Sequence, residues 1–334
     1  MSAPSSISSV SKRWLYIPFI IAAIIMTGYF LLWRTGAHEM KKAVYQWVED
    51  QRALGLTVTH GDIDVDGFPF FLRVHIEEPE IAAAGEWRWR SDRLSLDALP
   101  YDLNRLIFSP QGEHTVSVHE LGEWRGRAED FRASIARDKQ RDWVFSVTLA
   151  NAVMHNVADG SSAELASLVF DAAPALNDPS TLTLNLAASG LSAQTADAQY
   201  NAHDIKTMLT LSQTQALSGF NPARQWRQMG GKLEIIALFA DVEDAKIATS
   251  GTIGLDAQLY PEGALKTEVQ NPAALARLLG KAGALNAEDT EAAAASFTLL
   301  AIANGGKIIA PLTLQDGSAE IGGVKITKLR QMPQ

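Results

Sequence analysis

The chain has 334 residues, with 29 Lys+Arg against 38 Asp+Glu (formal net charge −9), no cysteine, 47% hydrophobic and 8% aromatic residues. That composition fits one large globular domain or two small ones and excludes a disordered, collagen-like or disulfide-stapled chain; the lack of cysteine excludes zinc–thiolate sites, iron–sulfur clusters and a cysteine nucleophile. The acidic balance argues against nucleic acid as a partner, because a phosphate backbone calls for a basic surface.

The first element, residues 14–33, is a run of twenty residues without a charge. As a helix it is about 30 Å long, the thickness of a bilayer's hydrocarbon core. Lys12 and Arg13 flank it on one side and Arg34 on the other, with Trp14, Tyr16, Tyr29 and Trp33 where interfacial aromatic belts lie. A cleaved signal peptide has a shorter apolar core and a small-residue cleavage site, whereas this run closes on Leu31-Leu32-Trp33-Arg34. The expectation is a single membrane-spanning helix, with residues 1–13 as a cytoplasmic tail and everything after Arg34 on the far side. The bases on the two sides nearly balance, and the orientation follows from the short tail before a single span and from the indifference of long domains to the charge rule. Residues 1–34 hold three bases and no acid, leaving 26 bases and 38 acids for the rest, a net −12. A domain of that sign is weakly repelled by an anionic leaflet, so the anchor has to hold it there.

Residues 34–55 read as a short juxtamembrane amphipathic helix, with Met40, Val44, Trp47 and Val48 at helical spacing and Gly55 as its stop. Such a helix either caps the edge of the following domain or lies on the bilayer surface. Capping is favoured, because the apolar stripe is narrow.

From residue 56 to 334 the period changes to 2, the mark of a β-rich domain. Phe70, Leu72, Val74 and Ile76 alternate with Phe71, Arg73, His75 and Glu77; similar runs follow at 131–135, 143–149 and 182–186. One hairpin is expected across 260–263, from Leu255, Ala257 and Leu259 to Leu265, Thr267 and Val269. Another turns at Asp316-Gly317, with Ile321, Val324 and Ile326 after it. Helices return at 222–229, after Asn271-Pro272, and from Asn286 to Gly305-Gly306. The fold class is therefore mainly β: an N-terminal transmembrane helix, then a large curved antiparallel sheet, half-barrel or sandwich-like, with a few short helices, two of them near the C-terminus.

Asp62-Ile63-Asp64-Val65-Asp66-Gly67 matches the first half of an EF-hand calcium loop, but the position of its bidentate glutamate is Arg73. The three aspartates read better as the wet face of a strand. No nucleophile elbow, zinc-binding helix, phosphate loop or dinucleotide fingerprint occurs. The seven histidines are isolated at metal-binding spacing, and Glu77, Glu78 and Glu80 form an acid–base set only if the fold brings them to a cleft. Trp87 and Trp89 share a strand face and read as sheet packing. No catalytic, cofactor-binding or metal-ligating residue is assigned, no cofactor is expected, and the chain reads as nonenzymatic.

The anchor, Gly67-Phe68-Pro69-Phe70, the 226–231 segment, and Pro311-Leu312-Thr313-Leu314-Gln315-Asp316-Gly317 with Ile321-Gly322 together resemble an uncharacterised bacterial membrane-anchored family, domain of unknown function twenty-one twenty-five. The Gly-Phe-Pro-Phe segment after an anchor is also similar, more distantly, to AsmA-like envelope proteins. These resemblances imply a Gram-negative inner-membrane protein facing the periplasm and carry over no catalytic residue. Long strands with one apolar face need a cover that two short late helices are too small to supply in full. The expected candidate ligand face is Phe70, Leu72, Val74 and Ile76, with the bilayer as one partner and an acyl chain or an envelope protein as the other. The alternatives are a scaffold or protein-interaction module whose sheet closes on its own core, and an anchored enzyme with a site built from distant loops.

Overall fold

The structure, a computed structural model, describes residues 12–332 except 141, 177, 219, 220 and 303. The tail assigned to the cytoplasm lies outside the described residues up to position 11. Helix α1 (Lys12–Ala53) runs without interruption for 42 residues, so the apolar segment and the amphipathic segment are two stretches of one rod. The first stretch contains an 18-residue window of mean hydropathy 1.9, none of it buried against the rest of the chain. The second stretch is packed. Ala37, Val44 and Val48 are all less than 9% exposed, while Trp47, one step off that line, stays half-exposed. Gly55 ends the helix at φ +91°, a conformation that costs glycine little.

Among the described residues, seventeen strands form a single antiparallel sheet. Strands β5 (Trp87–Leu99), β6 (Asp102–Val118), β7 (Gly122–Asp138), β8 (Asp142–Asn156), β9 (Ser162–Ala175), β10 (Asp178–Gln194) and β11 (Gln199–Leu211) pair each with the next as a meander. The meander continues through β12 (Leu233–Val242), β13 (Ala245–Leu255), β14 (Pro261–Gln270), β15 (Lys307–Gln315), β16 (Ser318–Ile321) and β17 (Val324–Lys328). On its other side the long β5 is paired in two pieces. Its residues 93–98 pair with β3 (Leu72–Glu77), and its residues 87–90 pair with β4 (Glu80–Ala83). Beyond these lie β2 (Ile63–Asp66), on β3, and β1 (Leu56–Thr59), on β4. No ladder joins the two ends among the described residues, so the sheet is open.

The tightly packed cores sit under helices at its two ends. At the first, Val44 of α1 packs with Ile63, Val74, Ile76 and Leu96, and Ala37 packs with Leu72 and Ala98. At the other, beyond the short α2 (Pro222–Gln228) between β11 and β12, α3 (Pro272–Lys281) and α4 (Ala287–Ile302) bring Leu275, Ala276, Ala293 and Phe297 onto Ala245, Val269, Ile308 and Ile321. Between these caps the main contacts of each strand are with its ladder neighbours. On β6 to β11 the only fully buried apolar residues described are alanines and Pro174.

Several local expectations are corrected. Phe70 lies in a turn before β3, not in the strand. The turn between β13 and β14 comes earlier than expected, at 256–260: the Asp256 Oδ1 accepts from the amides of Gln258 (2.8 Å) and Tyr260 (2.9 Å), and Pro261 opens the next strand. Leu259, expected in a strand, is instead buried in that turn at φ +68°. The Asp316-Gly317 hairpin forms with both residues at positive φ, as a two-residue turn of this type requires. A second turn at Gly322-Gly323 then splits the run after it into β16 and β17. Asn271 precedes α3 without capping it, its side-chain amide donating instead to the Asp244 carbonyl at 3.2 Å. Asn286 does cap α4, its Oδ1 accepting from the Asp289 amide at 2.8 Å.

Cores confined to the two ends make phenylalanine truncations unequal. Phe297→Ala is expected to cost about 3–5 kcal/mol and Phe170→Ala, on β9 between the caps, only about 1–2 kcal/mol. Urea denaturation of the full chain measures both, and equal losses would contradict this distribution.

Candidate functional site

The residues expected to form an exposed ligand face do not form one together. Leu72, Val74 and Ile76 are 1%, 0% and 9% exposed, because the amphipathic stretch of α1 covers them; Phe70 is 71% exposed and points elsewhere in the chain's surface. The covered residues are nevertheless the start of a larger feature. Directly paired residues of an antiparallel ladder share a face. Leu72 pairs with Ala98, and the same rung runs through Leu106, Ile135, Phe145, Ala172, Leu184, Leu209 and Ile235. The next rung starts at Val74 and passes through Leu96, Phe108, Ala133, Val147, Phe170, Leu186, Thr207 and Leu238. The periodicity of each strand thus lines up across the sheet into one apolar face, buried under α1 at one end and under α3 and α4 at the other.

In the span between, Phe145, Val147, Phe170, Leu186 and Leu238 are only half-buried, although they belong to the same rungs as Leu72 and Val74. Their partial cover comes from one another: the Phe145 and Phe170 rings meet edge to face at 6.3 Å. An apolar strip this long that is neither dry core nor broken by charge can lie against acyl chains or another apolar surface.

The opposite face of the same strands carries a trough of about 690 Å³ across β9 to β15. Val169, Met208, Ile236, Phe239 and Ile309 give it apolar patches, and Asp171, Lys206, Lys266 and Glu268 give it charge. Glu268 accepts from Lys307 Nζ at 2.7 Å, which holds its pKa below the ordinary glutamate value, with a smaller contribution from Gln270. Asp171 accepts from the Ser146 hydroxyl at 2.6 Å, and the buried Oδ1 of Asn185, between Asp171 and Met208 on the ladder, has no hydrogen-bond partner.

The other motifs resolve into packing and ion pairs. In β2 Ile63 points into the core and Asp64 and Asp66 point out, with Asp66 Oδ2 at 3.3 Å from His75 Nε2. Arg73, where a calcium loop needs its glutamate, binds Asp97 through two nitrogens at 2.5 and 3.3 Å. Glu77, Glu78 and Glu80 meet Arg93, Arg90 and Arg88 along β5, at 2.7, 3.5 and 3.5 Å. Among the described residues no group of three His, Asp or Glu side chains is arranged to hold a metal. Trp226 is buried and donates to the Ser212 carbonyl at 2.6 Å; Gly231 lies against its ring, where a Cβ would come within 2.4 Å of the indole. The residues that carry the family resemblance in this segment are therefore packing and turn positions.

His114 was not distinguishable from the other histidines by spacing. It is 6% exposed, between the rings of Trp89 (6.4 Å) and Phe131 (5.6 Å), and its Nδ1 has no partner.

The fold and these surfaces define an open antiparallel sheet protein, capped by helices at both ends and apolar along one face. Over residues 33–330 the chain matches the family described as "Uncharacterized protein conserved in bacteria" (DUF2125), and it belongs to that family. No curated protein and no solved structure matches the chain.

Burial pushes the His114 imidazole below its ordinary pKa, with nearby Asp92 opposing more weakly. The unfolded chain therefore takes up a proton on this ring where the folded chain does not. Its contribution to stability is present above the ordinary histidine value of about 6.5 and is lost as pH falls below it. Thermal melts of wild type and His114→Phe between about pH 8 and pH 5 should show a steeper acid loss in wild type; parallel curves would contradict the burial.

Proposed function

We propose that this chain is a single-pass inner-membrane protein whose sheet domain stands in the periplasm and holds acyl chains on its apolar face, without catalysing a reaction. The observation that carries this reading is the uncharged, mainly apolar ladder, interrupted only by threonines such as Thr207, packed tightly under helices at both ends and half-buried between them. Length and apolar character of the first stretch of α1 support an anchor. So does its continuity with Ala37, Val44 and Val48: one turn separates Trp33 from the packed segment, leaving no extended stretch for a signal-peptide cleavage site. With α1 as a span, the same continuity supports a sheet whose α1-covered end lies nearest the bilayer and whose apolar face leads away from it.

A closed-core scaffold has less support, because the large side chains of β7 to β10 lack the burial that a second layer gives. A partner protein laid along the strip is the competing occupant. The mixed trough on the opposite face is the competing site, favoured by its volume, within the range of about 300–1,000 Å³ usual for small-molecule pockets, and by the unpaired Asn185 oxygen.

A photoreactive benzoylphenylalanine replacing Phe170 or Phe239 in the full chain, expressed in a Gram-negative host, separates the two faces. Irradiation should add the mass of a phospholipid at position 170 and not at 239. A protein adduct at 170 or lipid confined to 239 would overturn the reading. For topology, alkaline phosphatase fused after Gln334 is expected to be active, and a fusion active only with a cytoplasmic reporter would reverse the orientation.

A further inference from the structure

Between β2 and β3 the chain makes a turn, 67–71, within the uncharged run Gly67-Phe68-Pro69-Phe70-Phe71-Leu72, bounded by Asp66 and Arg73. The amides of Phe70 and Phe71 both donate to the Gly67 carbonyl, at 3.0 and 2.9 Å. Gly67 sits at φ +98°, and a Cβ there would come within 2.8 Å of the Phe71 carbonyl oxygen, so the turn depends on glycine. It displays three phenylalanines at once, Phe68, Phe70 and Phe71 being 40%, 71% and 44% exposed.

The turn does not project freely. It lies along the last turns of the apolar stretch of α1. The Tyr29 hydroxyl donates to the Pro69 carbonyl, and the Trp33 indole donates to the Phe71 carbonyl at 2.7 Å. The Phe68 ring lies 6.0, 5.4 and 5.6 Å from those of Tyr29, Phe30 and Trp33. Tyr29 precedes Arg34 by five residues, about 7.5 Å along a helix axis. The turn is thus bonded to α1 on the apolar side of the charge that closes the span. Two of its carbonyls are satisfied by helix side chains, which backbone entering a low-water region requires.

From this geometry we infer that turn 67–71 enters the headgroup–acyl boundary of the leaflet on the domain's side, with Phe70 deepest, as a second membrane contact beside α1. The inference rests on the reading of α1 as a membrane span. The sheet is fixed to α1, but a lone span can tilt in the bilayer; a second contact beside it limits that tilt and so fixes how the sheet stands on the surface.

The chain has no cysteine, so a single introduced thiol is the only labelling site. An environment-sensitive fluorophore is placed on Phe70→Cys, on Ile24→Cys in the span, and on Leu121→Cys, an exposed apolar position (64%) in the turn between β6 and β7. The full-length chain is reconstituted in vesicles of phosphatidylethanolamine and phosphatidylglycerol carrying acyl-chain spin quenchers near the headgroup or near the chain end. Ile24 should be quenched by the deep quencher and Phe70 by the shallow one, at least about threefold more than Leu121. Quenching at Ile24 with Phe70 no different from Leu121 would overturn the inference and leave the span standing. Loss of quenching at Ile24 would remove the span and the inference together. Phe70→Asp supplies an independent check without a label: a charge at that depth should weaken protection of turn 67–71 from an aqueous protease while the sheet's circular dichroism is unchanged, and unaltered protection would count against insertion.

Discussion

The arrangement depends on one packing interaction, the seating of α1 on the first strands of the sheet. Ala37, Val44 and Val48 follow one helical line, and below it lie Leu72, Val74 and Ile76 on alternate positions of β3. A period-3.6 stripe and a period-2 stripe meet there, each too narrow to form a core alone. Polar contacts fix the helix lengthwise: Lys41 donates to the Ile63 carbonyl, and Arg52 donates to the Val58 carbonyl at 2.6 and 3.0 Å. Because the same helix continues unbroken toward its apolar stretch, whatever holds that stretch also orients the sheet.

Among the described residues, the seventeen strands pair antiparallel; from β5 to β17 each strand pairs with the next, most of them through tight turns, with helices inserted only between β11 and β12 and between β14 and β15, which leaves the apolar rungs in register from one end to the other. Helical caps close both ends of that face. The outermost strands are short and carry charge, Asp64 and Asp66 on β2 and Lys325 and Lys328 on β17, which discourages edge-to-edge pairing with other copies. Asp66, the glutamates beside Pro79 and Gly231 all serve this framework. Ion pairs with β5 account for the glutamates, and the close approach of Gly231 to the indole accounts for the glycine. The distinctive feature of the chain lies in the uncovered length of its apolar face.

Much of this was legible in the sequence because each signal is local. The uncharged run 14–33, the change to period 2 after Gly55, the Asp316-Gly317 turn and the acidic first turn of α4 all state their conformation within a few residues. Local competition produced the errors. Pro261 and Gly263 look like a turn, but Asp256 had already made one with its side chain. Phe70 continues the alternation of β3, but Gly67 and Pro69 hold it in the turn before. The candidate face was misplaced for a different reason. Alternation shows that Leu72 and Val74 share a face, yet cannot say that α1, more than twenty residues away in the chain, lies over it while the matching positions on β7 to β10 stay uncovered. That depends on register between distant elements, as does the burial of His114 between Trp89 and Phe131.

Hydrogen–deuterium exchange of the full chain, with and without Val44→Asp, addresses the helix–sheet seating most directly. A buried unpaired carboxylate at that contact should release residues 37–48 and strand β3 together, with exchange in both rising at least about tenfold while β14 and β15 under the far cap stay protected. Unchanged protection of β3 once the helix is released would contradict the claim that α1 holds this end of the sheet.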